Sequence, residues 1–140
     1  MAVLASETFV CDAPFAVVYG DDIVYNGDKQ PAIGQLIDAY YTTGKSILGV
    51  QEVAEEDAVK YGAVIKGAQK GRYCEMKGVI EKPKREELPS TLVSLGRYVL
   101  TPDVFDYIRQ TAPAKNGEIY LTDTINLMAK TVGVFSYYHF

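Results

Sequence analysis

The chain has 140 residues, a formal net charge of −4 and an apolar fraction of 48%, which suits one domain with one hydrophobic core. Its basic residues form no stripe, which argues against a nucleic-acid partner, and no apolar run approaches the roughly 18 residues that span a membrane. Two well-separated cysteines without a CxxC pair, and an N-terminus without a basic leader region, predict free thiols in a cytoplasmic protein.

The first part of the chain predicts alternating helices and strands. Phe15–Val18 is apolar on both faces, which is typical of a fully buried strand. Residues 31–43 have apolar side chains at helical spacing, and Gly44 follows as a common C-terminal stop. The other predicted segments are a short helix at 2–10, a strand at 46–53, and a charged turn or short helix at 55–60.

The second part is richer in β-like segments. Glycines separate three short β-like pieces at 63–66, 72–76 and 78–80, and a charged loop at 84–89 follows. A strand is predicted at Leu92–Leu100, a helix begins at Pro102 with Thr101 as its cap, a second helix covers 121–130, and a last strand covers 132–140. This alternation predicts an α/β fold with a mixed, mostly parallel sheet and a single domain over residues 1–140.

The first candidate site is the sequence Gly20-Asp21-Asp22, which ends the apolar strand at Phe15–Val18. Ligands bind at the carboxyl ends of strands in open α/β sheets. Gly20 permits close approach of a ligand, and a carboxylate there suits Mg²⁺, which takes one or two protein oxygens and keeps its other positions for water and phosphate. The alternative is an ordinary strand-ending turn, in which Gly and Asp are common.

The second candidate site is Glu81-Lys82-Pro83, which also closes a predicted strand. The carboxylate could accept hydrogen bonds from sugar hydroxyls, and the ammonium could neutralise a phosphate. The alternative is a solvated charged turn.

Glycines and helix starts offer weaker candidates. Gly62 precedes a predicted strand and Gly96 lies inside one, which indicates either a bulge or a ligand pressed against the backbone. Thr122 or Asp123 is expected to cap the last helix. His139, the only histidine, is expected to be a packing residue.

Taken in order, these stretches resemble bacterial UTP–glucose-1-phosphate uridylyltransferases, also called UDP-glucose pyrophosphorylases. The resemblance covers essentially the whole chain. The matching stretches are Pro14 to Asp22 (PFAVVYGDD), Gln35 to Ile37 (QLI), Gly49 to Val53 (GVQEV), Lys60 to Gly62 (KYG), Glu81 to Lys84 (EKPK), Pro89-Ser90, Gly96 to Pro102 (GRYVLTP) and Gly117 to Asp123 (GEIYLTD).

The resemblance implies a Rossmann-like nucleotide-diphospho-sugar transferase fold and a reaction of UTP with glucose 1-phosphate that gives UDP-glucose and pyrophosphate. It implies that Asp21 holds a catalytic Mg²⁺ and that Lys82 contacts the sugar phosphate as a catalytic residue. Glu81 would accept hydrogen bonds from sugar hydroxyls, and Gly62 and Gly96 would contact the glucose through their backbones.

The chain also departs from the family pattern. The family's glycine-rich loop with Thr-Arg, which binds the UTP triphosphate, and its uracil-recognising segment are missing from this sequence, so a truncated domain that is inactive alone is expected. Tyr19 stands where Leu is usual, and Tyr120 where many members have Gln. An exposed sheet edge would favour self-association or a homo-oligomer.

Two alternatives stay open at this point. One is another sugar-1-phosphate nucleotidyltransferase, such as a thymidylyltransferase, because the base-reading segment is missing. The other is a non-catalytic module that binds sugar phosphate or supports assembly.

Overall fold

The computed structural model describes residues 2–21 and 23–137 as a six-stranded sheet with helices on both faces. The strands are β1 (Phe15–Val18), β2 (Ser46–Glu52), β3 (Gly62–Lys70), β4 (Tyr73–Glu81), β5 (Leu92–Leu100) and β6 (Val134–Tyr137). The helices are α1 (Ala2–Ala5), α2 (Glu7–Val10), α3 (Ala32–Thr43), α4 (Glu55–Ala58), α5 (Val104–Gln110) and α6 (Leu121–Thr131), and Arg85–Glu87 forms one 3₁₀ turn. The α/β class is confirmed.

The strand order is β1-β5-β2-β6-β4-β3, and β3 also meets β5. The β2–β6 pair is parallel, whereas the other pairs of described strands are antiparallel. The prediction of a mixed sheet is therefore confirmed, but the expectation that it is mostly parallel is wrong. The physical reason is that β3, β4 and β5 follow one another without a long crossover helix, and short connections join antiparallel strands.

Two of the three glycines expected to separate short β pieces lie within long strands instead, and only the third separates strands. Gly67 and Gly78 are interior residues of the β3–β4 hairpin, and Gly71, with φ of +63°, belongs to its turn. A Cβ on Gly67 would lie 2.8 Å from the carbonyl oxygen of Glu75 on the opposite strand. Here glycine permits close strand approach at irregular register and does not end the strands.

β1 is half-buried, so the expectation of a fully buried strand is wrong. Phe15 and Val17 pack against the core, whereas Ala16 and Val18 are exposed. β1 lies at one end of the sheet order, and an edge strand with one covered face needs apolar residues on that face only.

Two apolar clusters hold the helices to the sheet. The larger one packs α5 and α6 against one face and includes Ile108, Ile125 and Met128, each 0–1% exposed. The smaller one packs α3 against the other face through Leu36 and Ala39, both at 0%. These three layers fix the sheet between helices, which is the usual arrangement of an α/β fold.

The predicted helix ends have mixed outcomes. Gly44 does end α3, with a left-handed φ of +64° and an N–H that donates to the carbonyl oxygen of Tyr40 at 2.7 Å. Thr101 does not cap α5, because that helix begins at Val104 and the Thr101 hydroxyl contacts Ser46 Oγ at 2.8 Å.

The remaining sequence predictions concern single residues. Both cysteines are free thiols as expected, Cys11 exposed and Cys74 buried. His139 and the end of the predicted last strand lie outside the described residues, as does Asp22. Within the described ranges, no helix is long and apolar enough to cross a membrane.

Candidate functional site

Five of the residues that the sequence singled out as site candidates line one open cavity of about 290 Å³, whereas Gly20 is not among its lining residues. Asp21, Gly62, Glu81, Lys82 and Gly96 all contribute to its wall, although they come from four different segments of the chain. The cavity also has lining residues that the sequence reasoning did not choose, among them Tyr19, Lys60, Ser94, Tyr98 and Thr122. The topology thus brings together carboxylates, ammonium groups, hydroxyls and exposed backbone.

Asp21 reaches the cavity at the carboxyl end of β1, where the sequence predicted a ligand position. The preceding turn is held by the Tyr19 N–H, which donates to the carbonyl oxygen of Gly96 at 3.0 Å. A Cβ on Gly20 would meet no described atom within 4 Å, so packing within the described chain does not require glycine there. Asp21 is exposed and free to take a ligand from the solvent side.

Gly62 and Glu81 face each other across the β3–β4 hairpin. A Cβ on Gly62 would lie 2.9 Å from Cγ1 of Val79 and 3.1 Å from Oε2 of Glu81. Glycine at position 62 therefore leaves the room that the Glu81 carboxylate occupies, which is a reason for this glycine that sequence reasoning did not give.

Lys82 follows β4 in an unusual backbone conformation. Its φ is +45°, in the left-handed region that side chains rarely adopt. Its N–H donates to the carbonyl oxygen of Tyr61 at 3.0 Å, and Pro83 follows it as a buried residue. Such strain persists where the surroundings enforce it, and it commonly occurs at functional sites. The result is a lysine whose backbone is fixed at the cavity wall.

Gly96 forms a bulge and also lines the cavity. The two interpretations of this glycine, a bulge or a close approach by a ligand, are therefore compatible. Its φ is +61°, and β5 has three residues between the registered pairs Leu48↔Tyr98 and Val50↔Ser94, where β2 has only one. Bulges of this kind use glycine in the left-handed conformation. The bulge turns the Gly96 carbonyl toward Tyr19 and opens the strand at the cavity.

Thr122 is a site residue that the sequence reasoning missed. Either Thr122 or Asp123 was expected to cap α6, but the helix begins at Leu121 and no side chain of the described residues caps its first turn. The Thr122 hydroxyl instead donates to Oε2 of Glu81 at 3.4 Å. The sequence signal for a cavity role was weak, because Thr122 lies next to the buried Leu121 in the first turn of an amphipathic helix and therefore resembles an ordinary helix-start residue.

Helix α6 is held beside Glu81 by Asn126. Its side-chain amide donates to the carbonyl oxygen of Val79 at 2.9 Å, and its Oδ1 accepts from the Val79 N–H at 2.6 Å. In the described structure β6 pairs with β4 only along Tyr73–Glu75, so the asparagine takes the place of a neighbouring strand farther along β4. This contact fixes the end of β4 that carries Glu81 and Lys82.

Two tyrosines form one wall of the cavity. The rings of Tyr19 and Tyr98 meet edge to face, with centroids 5.8 Å apart and planes at 63°. Burial raises the pKa of both phenols above the ordinary value of 10.0, and the carboxylate of Glu81 raises both further. Both hydroxyls therefore keep their protons at neutral pH and can donate hydrogen bonds.

Lys60 adds a second cation at the cavity. Its ammonium donates to Oδ1 of Asp57 at 2.6 Å, and this hydrogen bond raises the Lys60 pKa. Lys60 is exposed and already paired, so Lys82 is the better placed of the two to meet an incoming anion.

Comparisons with known proteins show what the chain is similar to. The family model described as "Nucleotidyl transferase" matches residues 1–139. The UTP–glucose-1-phosphate uridylyltransferase 2 of Staphylococcus saprophyticus is 46% identical over 136 residues, which are 97% of this chain and 46% of that protein. The corresponding enzyme of Staphylococcus epidermidis is 43% identical over the same share of each chain.

Solved structures give the same picture. A UDP-glucose pyrophosphorylase complexed with UDP-glucose superposes with a TM-score of 0.92 at 35% identity, over 99% of this chain and 53% of the other. The chain spans about half the length of the curated relatives it matches. Because the family model covers nearly all of its residues, the chain belongs to the nucleotidyl transferase family.

Proposed function

We propose that this chain supplies the sugar-phosphate half of a uridylyltransferase site, at which UTP and glucose 1-phosphate give UDP-glucose and pyrophosphate. The observation that carries the proposal is the shared cavity of Asp21, Gly62, Glu81, Lys82 and Gly96. The names of the relatives favour uridylyl over thymidylyl transfer. Those relatives are about twice as long as this chain, so we propose both the half-site and the complete reaction.

Lys82 is assigned to the phosphate of glucose 1-phosphate. An ammonium group acts on a phosphate as a point charge with several donors. The hydrogen bond from the Lys82 N–H to Tyr61 and the buried Pro83 support this role, because they hold the base of a flexible side chain in place. Less backbone freedom then has to be lost when the phosphate binds.

Glu81 is assigned to the sugar hydroxyls. An ionised carboxylate only accepts hydrogen bonds, and each sugar hydroxyl can donate one. The Thr122 hydroxyl at 3.4 Å and the open space at Gly62 support this role, because both define where the Glu81 carboxylate lies. Gly62 and Gly96 are assigned to backbone contacts with the sugar ring, where a side chain would keep the ring away.

Asp21 is assigned to a divalent cation, for which Mg²⁺ is the expected ion. In the described part of the chain no three His, Cys, Asp or Glu side chains form a metal-binding group, so an ion at Asp21 would take its other ligands from water and substrate phosphates. One carboxylate at an open cavity fits that requirement of Mg²⁺. When bound, such an ion would neutralise charge on the substrate phosphates.

The chemical step that follows from this assignment is an in-line displacement at the α-phosphorus of UTP. A phosphate oxygen of glucose 1-phosphate forms the new P–O bond, and the bond to the leaving pyrophosphate breaks. Neither step requires a covalent bond to the protein. The residues act by holding the nucleophile in line and by matching its charge, which are the main sources of catalysis in such transfers.

The 140-residue chain alone is expected to release little or no pyrophosphate, because the glycine-rich loop that the family uses for the triphosphate is not among its residues. Release comparable to that of a relative of full length would contradict this expectation. The half-site is therefore better tested by binding than by turnover.

The decisive experiment is calorimetric titration of the chain with glucose 1-phosphate, with and without Mg²⁺, beside UTP as a control ligand. We expect the sugar phosphate to bind without UTP and Lys82→Gln to weaken it about 10-fold or more, because a charge-assisted contact contributes roughly 1.5–3 kcal/mol. Lys84→Gln is the matched control, since Lys84 is exposed and does not line the cavity. An equal loss in both variants would refute the assignment of Lys82, and no binding at all would refute the half-site.

Asp21→Ala tests the metal assignment. We expect this change to abolish the effect of Mg²⁺ on sugar-phosphate binding and, when the equivalent substitution is placed in a full-length relative, to abolish turnover. Near-normal turnover in Mg²⁺ would count against Asp21 as a metal ligand.

We also propose that the chain associates with itself. We expect it to act in the cytoplasm, where UTP is available. Support for self-association comes from the edge position of β1 and from exposed apolar side chains near it, Val18 at 52%, Ile23 at 90% and Tyr25 at 88%. Unpaired edges and apolar patches promote association. A sharp monomer by light scattering would exclude it.

A further inference from the structure

Tyr19 is a cavity residue that has no part in the roles assigned above. Side chains alternate between the two faces of a strand, so Tyr19 continues the face of Phe15 and Val17, whose side chains pack against the core. Just beyond the last residue of β1, this face reaches the cavity, and Tyr19 contributes to its wall. The core face of β1 thus ends in a phenol at the candidate site.

The Tyr19 ring is held in place by its neighbours, and Tyr19 lines the cavity. The Tyr19 N–H donates to the Gly96 carbonyl at 3.0 Å, and the ring rests edge to face on Tyr98, which is only 5% exposed. The hydroxyl of Tyr98 in turn lies 3.5 Å from Ser94 Oγ. Tyr19 itself is 40% exposed, so a ligand in the cavity can touch a side chain whose direction is already set.

The chemistry of a sugar hydroxyl calls for such a group. A hydroxyl both donates and accepts, whereas the Glu81 carboxylate can only accept, so the hydroxyl oxygen held by Glu81 still lacks a donor. A phenol both donates and accepts hydrogen bonds, so Tyr19 can supply the missing donor. A buried hydroxyl without a donor partner would lose part of its binding energy.

We propose that Tyr19 is a specificity-determining residue, whose phenol donates a hydrogen bond to a sugar hydroxyl that is also held by Glu81. This inference rests on the proposed sugar-phosphate site and adds to it a residue that selects the pattern of hydroxyls on the sugar. The competing explanation is structural: an aromatic ring beside Gly96 covers a strand position that has no side chain. Tyr19→Phe separates the two, because it keeps the ring and removes the hydroxyl.

The experiment is calorimetric titration of the unchanged chain and of Tyr19→Phe with glucose 1-phosphate and with its 2-, 3-, 4- and 6-deoxy analogues. We expect Tyr19→Phe to bind glucose 1-phosphate roughly 3- to 10-fold more weakly, the loss of one neutral hydrogen bond. We also expect one deoxy analogue to lose more affinity, relative to glucose 1-phosphate, for the unchanged chain than for Tyr19→Phe, in which only the contact with Glu81 is left to lose. That coupling between one hydroxyl of the protein and one of the ligand is the signature of direct contact.

Controls keep the result interpretable. Tyr41→Phe removes a phenol that is 79% exposed on α3 and does not line the cavity, and it should bind every ligand as the unchanged chain does. If Tyr19→Phe weakens all five ligands by one common factor, or none of them, Tyr19 only covers Gly96 and the inference is wrong. If the unchanged chain binds no sugar phosphate, the proposed function itself fails, and this inference fails with it.

Discussion

The two edges of the cavity are built in different ways. On the β4 side, Asn126 of α6 bonds to both backbone groups of Val79, and Met76 and Val79 are 1% and 6% exposed. On the β1 side, Val18, Ile23 and Tyr25 expose half or more of their surface. Glu81 and Lys82 therefore stand on a packed support, whereas Asp21 follows an open edge.

This difference separates two kinds of functional group. Groups that must be held at a fixed position gain from rigid, buried support, because little freedom remains to be lost on binding. A carboxylate that meets a cation together with phosphates needs less support from its own chain, since the ion and the substrate supply most of the ligands. We expect substitutions on the packed side to change stability, and those on the open side to change it little.

The largest contrast is expected between two isoleucines. Ile108 in α5 is 0% exposed, and Ile108→Ala should lower the free energy of unfolding by about 2–5 kcal/mol, through lost burial and the cavity that remains. Ile23 is 90% exposed, and Ile23→Ala should stay within about 0.5 kcal/mol of the unchanged chain. Urea unfolding measures both, and equal losses would show that the open edge is covered in solution.

The next contrast concerns two asparagines. Asn126→Ala leaves the N–H and carbonyl of the buried Val79 without partners, so we expect a loss of about 2–4 kcal/mol. Asn26, in the loop on the open side, donates to the Gln30 carbonyl at 2.8 Å in an exposed setting, and Asn26→Ala should cost about 1 kcal/mol or less. A neutral Asn126→Ala in urea unfolding would refute the view that this side chain holds α6 to β4.

Sequence patterns predicted residues that share one cavity better than they predicted the sheet around it. Asp21, Glu81 and Lys82 were found because charged residues directly after an apolar strand form a local pattern, and local patterns survive folding. The predicted, mostly parallel strand direction was wrong, because direction depends on the connection between strands, which the pattern within one strand does not show. The long β3–β4 hairpin was also predicted as three short strands. A glycine in a β-like segment did not show by itself whether the strand ends there or continues through a bulge.

The residues that sequence reasoning missed share a physical cause. Thr122 and Tyr98 reach the cavity only because α6 docks on β4 and because β5 bulges at Gly96. Those are tertiary contacts between segments far apart in the chain, and neither spacing nor composition encodes them locally. Tyr19 did stand out in the sequence as a departure from the family pattern, but its neighbours became known only from the β1–β5 register.

A smaller effect is expected at Gly62, which lines the cavity, than at the packed residues above, and Gly20, which does not line the cavity, is the comparison. A Cβ on Gly62 would lie 2.9 Å from Val79 Cγ1 and 3.1 Å from Glu81 Oε2, so Gly62→Ala should lower the free energy of unfolding by about 1–3 kcal/mol. The same change should displace Glu81 and weaken glucose 1-phosphate binding. Gly20→Ala is the matched control, since its Cβ meets no described atom within 4 Å, and a loss as large as that of Gly62→Ala would contradict the contrast.

The smallest expected effect is a dependence on alkaline pH. Burial raises the pKa of Tyr98 above the ordinary 10.0, so above about pH 10 the unfolded chain loses a proton that the folded chain retains. The stability contributed by the neutral phenol is complete below the unfolded pKa and is lost as the pH rises toward the folded one, at up to about 1.4 kcal/mol per pH unit. Tyr98→Phe should therefore reduce the fall in unfolding free energy between pH 10 and 11, measured in urea. Tyr19→Phe should reduce it less, because Tyr19 is only half-buried at the open edge, and the reverse order would mean that the edge closes over Tyr19 in solution.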